Sequence, residues 1–166
     1  MNIYDNNDYI DNEEDILRDI IGSTKDKDKF IIFKVENERY AINIKDVVEL
    51  VRYDDEKITR EVPNIPPYII GIMTLRGLVF PVIDFKKKIG IPGGNYTKFN
   101  IIIVTEDSEN NRFGVVVEDI ENILPLREST TKPPEVGNIN VDFIKCISDF
   151  NNNMVSIIDI DKLLKA

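Results

Sequence analysis

The feature that most constrains the fold of this chain is an internal repeat. The segment RYAINIKDV at residues 39–47 matches RFGVVVEDI at residues 112–120, at an offset of 73. The segment FPVIDF at residues 80–85 matches VSIIDI at residues 155–160, at an offset of 75. Chance likeness between Ile- and Val-rich strands rarely gives two matches in the same order and at nearly equal offsets. The sequence therefore predicts two copies of one folding unit.

Each copy of the repeat is predicted to contain about five strands and a short closing helix. The chain has 28 Ile and 14 Val against 8 Leu and 2 Ala, and β-branched side chains favour sheets over helices. A five-stranded unit of about 70 residues closes well as a small barrel, because closure removes exposed strand edges. A unit of that size has a thin core when alone. We therefore expect a mainly β fold of two tandem five-stranded barrels that share a core.

The repeat and the composition together predict where the leader, the two barrels and the C-terminal helix begin and end. Residues 1–28 form an acidic leader, the first barrel covers about 29–92, the second about 96–160, and a C-terminal helix about 159–165. Apolar residues at helical spacing (16, 17, 20 and 21) predict a short, marginal leader helix. It either docks on the body or frays, and the alternative is that it binds a partner. Asp84 and Asp159, at equivalent places in the two copies, are predicted to cap short helices.

The composition excludes several kinds of chemistry. The chain contains no His, no Trp and one Cys, which excludes Ser–His and Cys–His pairs and His-containing zinc sites. Cys146 lies in a strand-like run and is expected to be a small buried residue. No apolar run approaches the roughly 18 residues that span a bilayer, and the acidic N-terminus is unlike a secretory signal. We expect a cytoplasmic protein with no cofactor, no metal and no direct membrane insertion.

The charge is concentrated in the leader. The chain carries a net −9, of which −6 lies in residues 1–28 and −3 in the remainder. Nucleic-acid binding requires a basic surface, and the only basic run, residues 86–88, is typical of a solvated helix face, so no nucleic-acid partner is expected. Asp and Glu can act as acids and bases without His, or residues 54–56 or 118–119 could bind a cation. A carboxylate-dependent enzyme therefore stays open as an unfavoured alternative.

The segment GIMTLRGLVFPVID at residues 71–84 resembles the signature of the CheW family of chemotaxis coupling proteins, G-V-x-N-L-R-G-x-x-x-P-V-I-D-L. The likeness extends from about residue 30 to 164 and includes VVELVRY (47–53), the Pro-rich stretch 63–67, GVVVE (114–118) and IDIDKLL (158–164). Thr74 stands where the family often has Asn, and Phe85-Lys86 stands where Leu-Arg is usual. The leader lies outside the resemblance.

The resemblance implies a non-enzymatic adaptor built from two SH3-like barrels. Members of the family bind the tips of chemoreceptors and the regulatory domain of the histidine kinase CheA. By resemblance, six residues are assigned to the partner-binding surface: Val47, Glu49, Gly71, Arg76, Ile120 and Ile123. The chain ends shortly after the last predicted helix, so the receiver domain of CheV and the catalytic domains of CheA are not expected. A CheW-like scaffold for a two-component pathway outside chemotaxis is the alternative.

Some of these residues can also be judged from their neighbours. Arg76 precedes a turn glycine at a predicted hairpin tip, where a guanidinium does not belong to a core. Glu49 lies between two apolar strand residues and faces away from them, so that it could pair with Arg76. Gly71 is expected to allow a close backbone approach or a positive φ. Whether the apolar members of the set belong to the core or to the surface is left open by the sequence.

Overall fold

The computed structural model describes residues 29–60, 62–127 and 142–164, so the predicted leader helix lies outside the described residues. Two short helices, α1 (Phe85–Lys88) and α2 (Ile160–Leu163), follow Asp84 and Asp159. Two 3-10 turns cover Ile44–Asp46 and Asp55–Lys57. The strands are β1 (Lys29–Val35), β2 (Glu38–Asn43), β3 (Val47–Arg52), β4 (Ile58–Thr59), β5 (Ile69–Leu75), β6 (Leu78–Asp84), β7 (Ile101–Glu106), β8 (Arg112–Val117), β9 (Ile120–Pro125), β10 (Ile144–Phe150) and β11 (Asn153–Ile158).

The strands form two sheets with the same internal order. One sheet runs β9-β1-β2-β11-β10, and the other runs β3-β7-β8-β6-β5-β4. The repeat makes β3 equivalent to β9, β7 to β1, β8 to β2, β6 to β11 and β5 to β10, so each strand and its equivalent hold the same place. Among the strands of the described residues, only the short strand β4 has no equivalent in the other sheet. The predicted mainly β fold of two barrel-like units is confirmed.

The division of the chain between the two sheets differs from the predicted boundary at residues 92–96. Each sheet contains the first hairpin of one copy and the later strands of the other, because β1 and β2 join β9–β11, and β7 and β8 join β3–β6. Parallel pairing of β2 with β11 and of β8 with β6 joins the exchanged hairpins to their sheets. Equivalent strands carry the same pattern of side chains, so the pattern alone does not indicate which copy a hairpin pairs with.

The buried side chains form three clusters. The largest lies between the sheets and contains an aromatic group in which Phe85 packs edge-on against Phe33, at 5.0 Å between ring centroids, and against Tyr40 and Phe143. A second cluster fills the six-stranded sheet around Met73. A third fills the five-stranded sheet and includes Cys146, which is buried as predicted. The predicted shared core is therefore the central cluster.

The two predicted helix caps are confirmed. The Asp84 Oδ1 accepts a hydrogen bond from the Lys86 backbone N–H at 2.9 Å. The Asp159 Oδ1 accepts one from the Asp161 backbone N–H at 3.1 Å. Within the described ranges, no helix is long and apolar enough to cross a bilayer.

Candidate partner-binding surface

The β5–β6 hairpin ends in a two-residue turn formed by Arg76 and Gly77. Leu75 pairs with Leu78 across the turn, and φ is +51° at Arg76 and +78° at Gly77. Positive φ at both central residues is the geometry that matches the twist of an antiparallel hairpin. The turn therefore holds the Arg76 side chain at the hairpin tip, as the sequence predicts.

Arg76 forms a two-point ion pair with Glu49. The Arg76 Nε donates to the Glu49 Oε2 at 3.1 Å, and the Arg76 Nη2 donates to the Glu49 Oε1 at 3.0 Å. The Arg76 side chain is 64% exposed and the Glu49 side chain only 10%. Because β7 and β8 separate β3 from β6 in the sheet, this pair joins two elements that share no backbone ladder. The predicted pairing is confirmed.

The ion pair also sets the electrostatics of the tip. Hydrogen bonds from Arg76 to Glu49, followed by the charge of that carboxylate, raise the pKa of Arg76. A guanidinium has five N–H donors in a planar fork, and Glu49 accepts from two of its nitrogens. The exposed edge of the guanidinium can therefore donate to a partner while Glu49 holds its orientation.

The structure places the other sequence-predicted residues in or against the core. Val47 is 8% exposed and belongs to the central cluster. Gly71 is buried, and a Cβ there would lie 2.5 Å from the Thr59 carbonyl oxygen, so the close-approach interpretation of this glycine is confirmed. Ile120 and Ile123 are partly buried and pack against the central cluster. Partner contact by these four residues stays a prediction.

The sequence interpretation missed the most exposed apolar residues of this hairpin. Leu78 is 49% exposed and Val79 is 66% exposed, while Phe80 and Val82 point into the core of the six-stranded sheet. Alternation along β6 was the signal that could have found Val79, because side chains next to inward-facing ones point outward. Exposed apolar side chains next to a fixed guanidinium are typical of protein-binding surfaces.

These residues border a groove of about 550 Å³ between the hairpin and the C-terminal helix. Its apolar wall consists of Leu78, Val79, Pro81 and Leu164. The Ser108 backbone N–H donates to the Asp161 Oδ1 at 2.7 Å, which holds the β7–β8 turn against α2. We refer to Arg76, Glu49, Leu78, Val79 and this groove as the first-hairpin surface.

Four of the acidic residues considered for cation binding have structural partners. Asp54 caps a 3-10 turn, and Asp55 pairs with Arg60 at 2.6 Å. Glu118 pairs with Lys86, and the Asp119 Oδ1 accepts from the Ile120 backbone N–H at 2.8 Å. In the part of the chain that the structure describes, no group of three acidic, His or Cys side chains is placed to hold a metal ion.

Comparison with known proteins agrees with this architecture. Residues 29–166 match the family model described as the CheW-like domain. The chain is 33% identical over 144 residues to the chemotaxis protein CheW of Bacillus subtilis, covering 84% of this chain and 88% of that one. It is 31% identical over 140 residues to the CheW of Klebsiella aerogenes, covering 83% and 82%.

A solved structure shows the same fold. The crystal structure of the scaffolding protein TtCheW from Thermoanaerobacter tengcongensis superposes with a TM-score of 0.72 at 32% identity. The match covers 86% of this chain and 91% of that one. On the family match and on these similarities, this chain belongs to the CheW-like family.

Proposed function

We propose that this chain is a non-enzymatic adaptor that couples the cytoplasmic tips of chemoreceptors to the regulatory domain of the histidine kinase CheA. Its membership of the CheW-like family supports this role, since its relatives are named as chemotaxis proteins and its structural neighbour as a scaffolding protein. The proposal places it in the cytoplasm, at receptor arrays that it reaches through its partners. It needs no cofactor and no nucleic acid.

The observation that carries the proposal is the exposure of Leu78 and Val79 on a rigid hairpin beside Arg76. Full burial of a Val or Leu side chain contributes about 1.5–3 kcal/mol. The hairpin is already ordered by its backbone ladder and by the Glu49–Arg76 pair. Little conformational entropy is therefore lost when a partner covers it, which favours tight binding.

The experiment is a reconstituted array of purified chain, CheA and receptor-containing membranes, in which co-sedimentation and CheA autophosphorylation are measured. Val79→Asp puts an unpaired carboxylate into the proposed apolar contact, and we expect affinity for CheA to fall by about 10–100-fold, which corresponds to about 1.4–2.8 kcal/mol. Arg76→Glu places like charges at Glu49 and should weaken binding in the same direction.

The matched control is Asn37→Asp, which adds one negative charge at the exposed β1–β2 turn and should leave binding unchanged. Val79→Asp and Asn37→Asp should melt at nearly the wild-type temperature, since exposed substitutions change stability by about 0.5 kcal/mol or less. Arg76→Glu should melt lower, because it sets a second carboxylate against Glu49, whose side chain is only 10% exposed, so its binding is measured well below its melting temperature. Wild-type binding of both CheA and receptors by Val79→Asp and Arg76→Glu would contradict the proposal. Phosphotransfer or hydrolysis by the isolated chain would contradict its non-enzymatic part.

A further inference from the structure

A second groove, of about 540 Å³, lies between α1, the end of β8 and the segment 92–100 that connects the two copies. It shares no lining residue with the groove of the first-hairpin surface. Its floor is apolar and buried, with Val35, Phe85, Val116 and Val117. We refer to it as the connector groove, and nothing in the proposed adaptor function uses it.

An exposed aromatic ring stands at the edge of the connector groove. Phe99 is 59% exposed, yet its turn is held in place by several hydrogen bonds. The Phe99 backbone N–H donates to the Thr97 Oγ1 at 3.2 Å, and the Thr97 N–H donates to the Asn100 Oδ1 at 2.9 Å. The Asn100 Nδ2 donates to the Val117 carbonyl at 3.2 Å. A large apolar side chain held in water in this way is a ready contact for an apolar segment.

The connector itself is anchored, so the groove has a fixed wall. The Tyr96 hydroxyl donates to the Asp84 Oδ2, and burial followed by this hydrogen bond raises the pKa of Tyr96. Gly93 lies so close to the Asp84 carboxylate that a Cβ there would collide with it. The groove is therefore a fixed feature of the fold.

Charged side chains of both signs border the connector groove. Asp84, Lys86 and Glu118 line it, and Lys86 pairs with Glu118. Two more lysines lie beside the groove. The Lys87 Nζ is near Gly94 in the groove wall, 4.0 Å from where a Cβ on that glycine would stand, and the Lys98 Nζ lies 5.6 Å from the centre of the Phe99 ring. The groove of the first-hairpin surface instead has three acids, Glu106, Asp107 and Asp161, against one cation, Arg112. With Lys87 and Lys98 included, the connector groove has three lysines against two acids, Asp84 and Glu118, so an acidic apolar segment is favoured there over the other groove.

The chain carries such a segment. Residues 1–28 have a net charge of −6, and the apolar residues 16, 17, 20 and 21 share one face of the helix predicted between residues 11 and 22. The leader joins β1 at Lys29, and the groove includes Val35 at the other end of that strand, about 20 Å away at about 3.3 Å per residue. Seven residues, 22–28, span at most about 23–25 Å when extended, which is enough.

We propose that residues 11–21 of the leader occupy the connector groove of their own chain as an amphipathic helix, with the apolar face on Phe99 and the acidic residues near the surrounding lysines. Docking of this kind covers an aromatic ring that would otherwise face water. It also ties the leader to the segment that connects the two copies of the repeat. The proposal is independent of which surface binds CheA or the receptors.

The test uses tryptophan fluorescence, because the full chain contains no Trp. Phe99→Trp introduces a single reporter at the proposed contact, and we expect blue-shifted emission that is protected from quenching by acrylamide. Adding Ile20→Asp in the leader should shift the emission to the red and remove the protection. Raising the salt concentration should weaken the protection, since charges are screened beyond about 8 Å at physiological ionic strength.

The matched control is Met154→Trp, a reporter at an apolar residue that is 66% exposed on another hairpin; its quenching should be the same with and without Ile20→Asp. Lys98→Trp, next to the proposed contact, serves as a second reporter if Phe99→Trp disturbs the turn. Full quenching of the Phe99→Trp emission by acrylamide, in the presence of the wild-type leader, would overturn the proposal. Protection that increases with protein concentration would also overturn it, because the occupant would then be a second copy.

Discussion

The two closing hairpins, β5–β6 and β10–β11, have equivalent backbones and different surfaces. Both turn through two residues with positive φ, at Arg76-Gly77 and at Asn151-Asn152. Three residues beyond the first turn residue, each presents an apolar side chain that is 66% exposed, Val79 in one and Met154 in the other. Each hairpin also has a register shift at the same place in its first strand. The repeat therefore preserves the geometry of the hairpin closely.

The difference lies in charge. The equivalent of Arg76 is Asn151, and the equivalent of Glu49 is Asn122, whose Oδ1 accepts from the Ile123 backbone N–H at 3.0 Å. Asn adopts a positive φ more readily than Arg does, so the turn alone favours the residues of the second hairpin. The ion pair with Glu49 therefore explains the presence of Arg at position 76 better than the geometry of the turn does. The first hairpin thus carries the Arg76–Glu49 pair beside its apolar side chain, whereas the second carries the exposed Asp149 opposite Met154, and we expect the two hairpins to select different partners.

The largest asymmetry between the copies should appear at Val47 and its equivalent, Ile120. Val47 lies in the central cluster, whereas Ile120 packs at its edge. Val47→Asp buries a carboxylate without a partner and should lower the free energy of unfolding by about 4 kcal/mol, against about 1–2 kcal/mol for Ile120→Asp. Urea denaturation measures both. Val48→Asp, at the exposed neighbour, is the control. Equal losses at the two positions would mean that the copies bury this site to the same depth.

Features of this fold that depend on near neighbours were predictable from the sequence. The Asp84 and Asp159 caps and the Arg76-Gly77 turn follow from side chains one to three residues away. The exchange of hairpins between sheets was not predictable, because equivalent strands present the same pattern to either copy. The burial of Val47 was also undecided, because a register shift between Val47 and Glu49 interrupts the alternation of β3.

A smaller asymmetry is expected at Gly71 and its equivalent, Cys146. A Cβ at Gly71 would lie 2.5 Å from the Thr59 carbonyl oxygen and 2.8 Å from the Ile58 Cγ2, so β4 would have to move. Gly71→Ala should therefore cost about 2–3 kcal/mol of unfolding free energy. Cys146→Ala leaves the backbone unstrained and should cost about 1 kcal/mol through lost burial. The measurement is the urea midpoint at constant slope. A neutral Gly71→Ala would show that β4 is free to shift.

The helix caps should differ by about 1 kcal/mol. Asp84 is buried and accepts from the Tyr96 hydroxyl as well as from the Lys86 N–H. Asp159 is half-buried, and among the described contacts its side chain accepts only the hydrogen bond that caps α2. Asp84→Ala should cost about 2 kcal/mol, since it also leaves the Tyr96 hydroxyl without its acceptor, and Asp159→Ala about 1 kcal/mol. A double-mutant cycle with Tyr96→Phe isolates the extra contribution. Additive losses in that cycle would remove the hydroxyl contact from the explanation.

The smallest expected effect concerns Asp46 and its exposed equivalent, Asp119. Burial raises the pKa of Asp46 above its usual 3.8; Lys45 lowers it, Asp161 and Asp159 raise it, and Lys145 lowers it. Because the folded-state pKa lies above the unfolded one, the native state binds more protons between the two values. Stability should therefore fall as the pH rises from about 3.8 through the folded-state pKa.

Asp46→Asn should stabilise the chain at pH 7 by less than about 1 kcal/mol, and the gain should vanish below pH 3.8. Thermal melting from pH 3 to pH 7 measures this, with Asp119→Asn as the control. A gain that persists unchanged at the acid end would show that it arises from packing rather than from the charge.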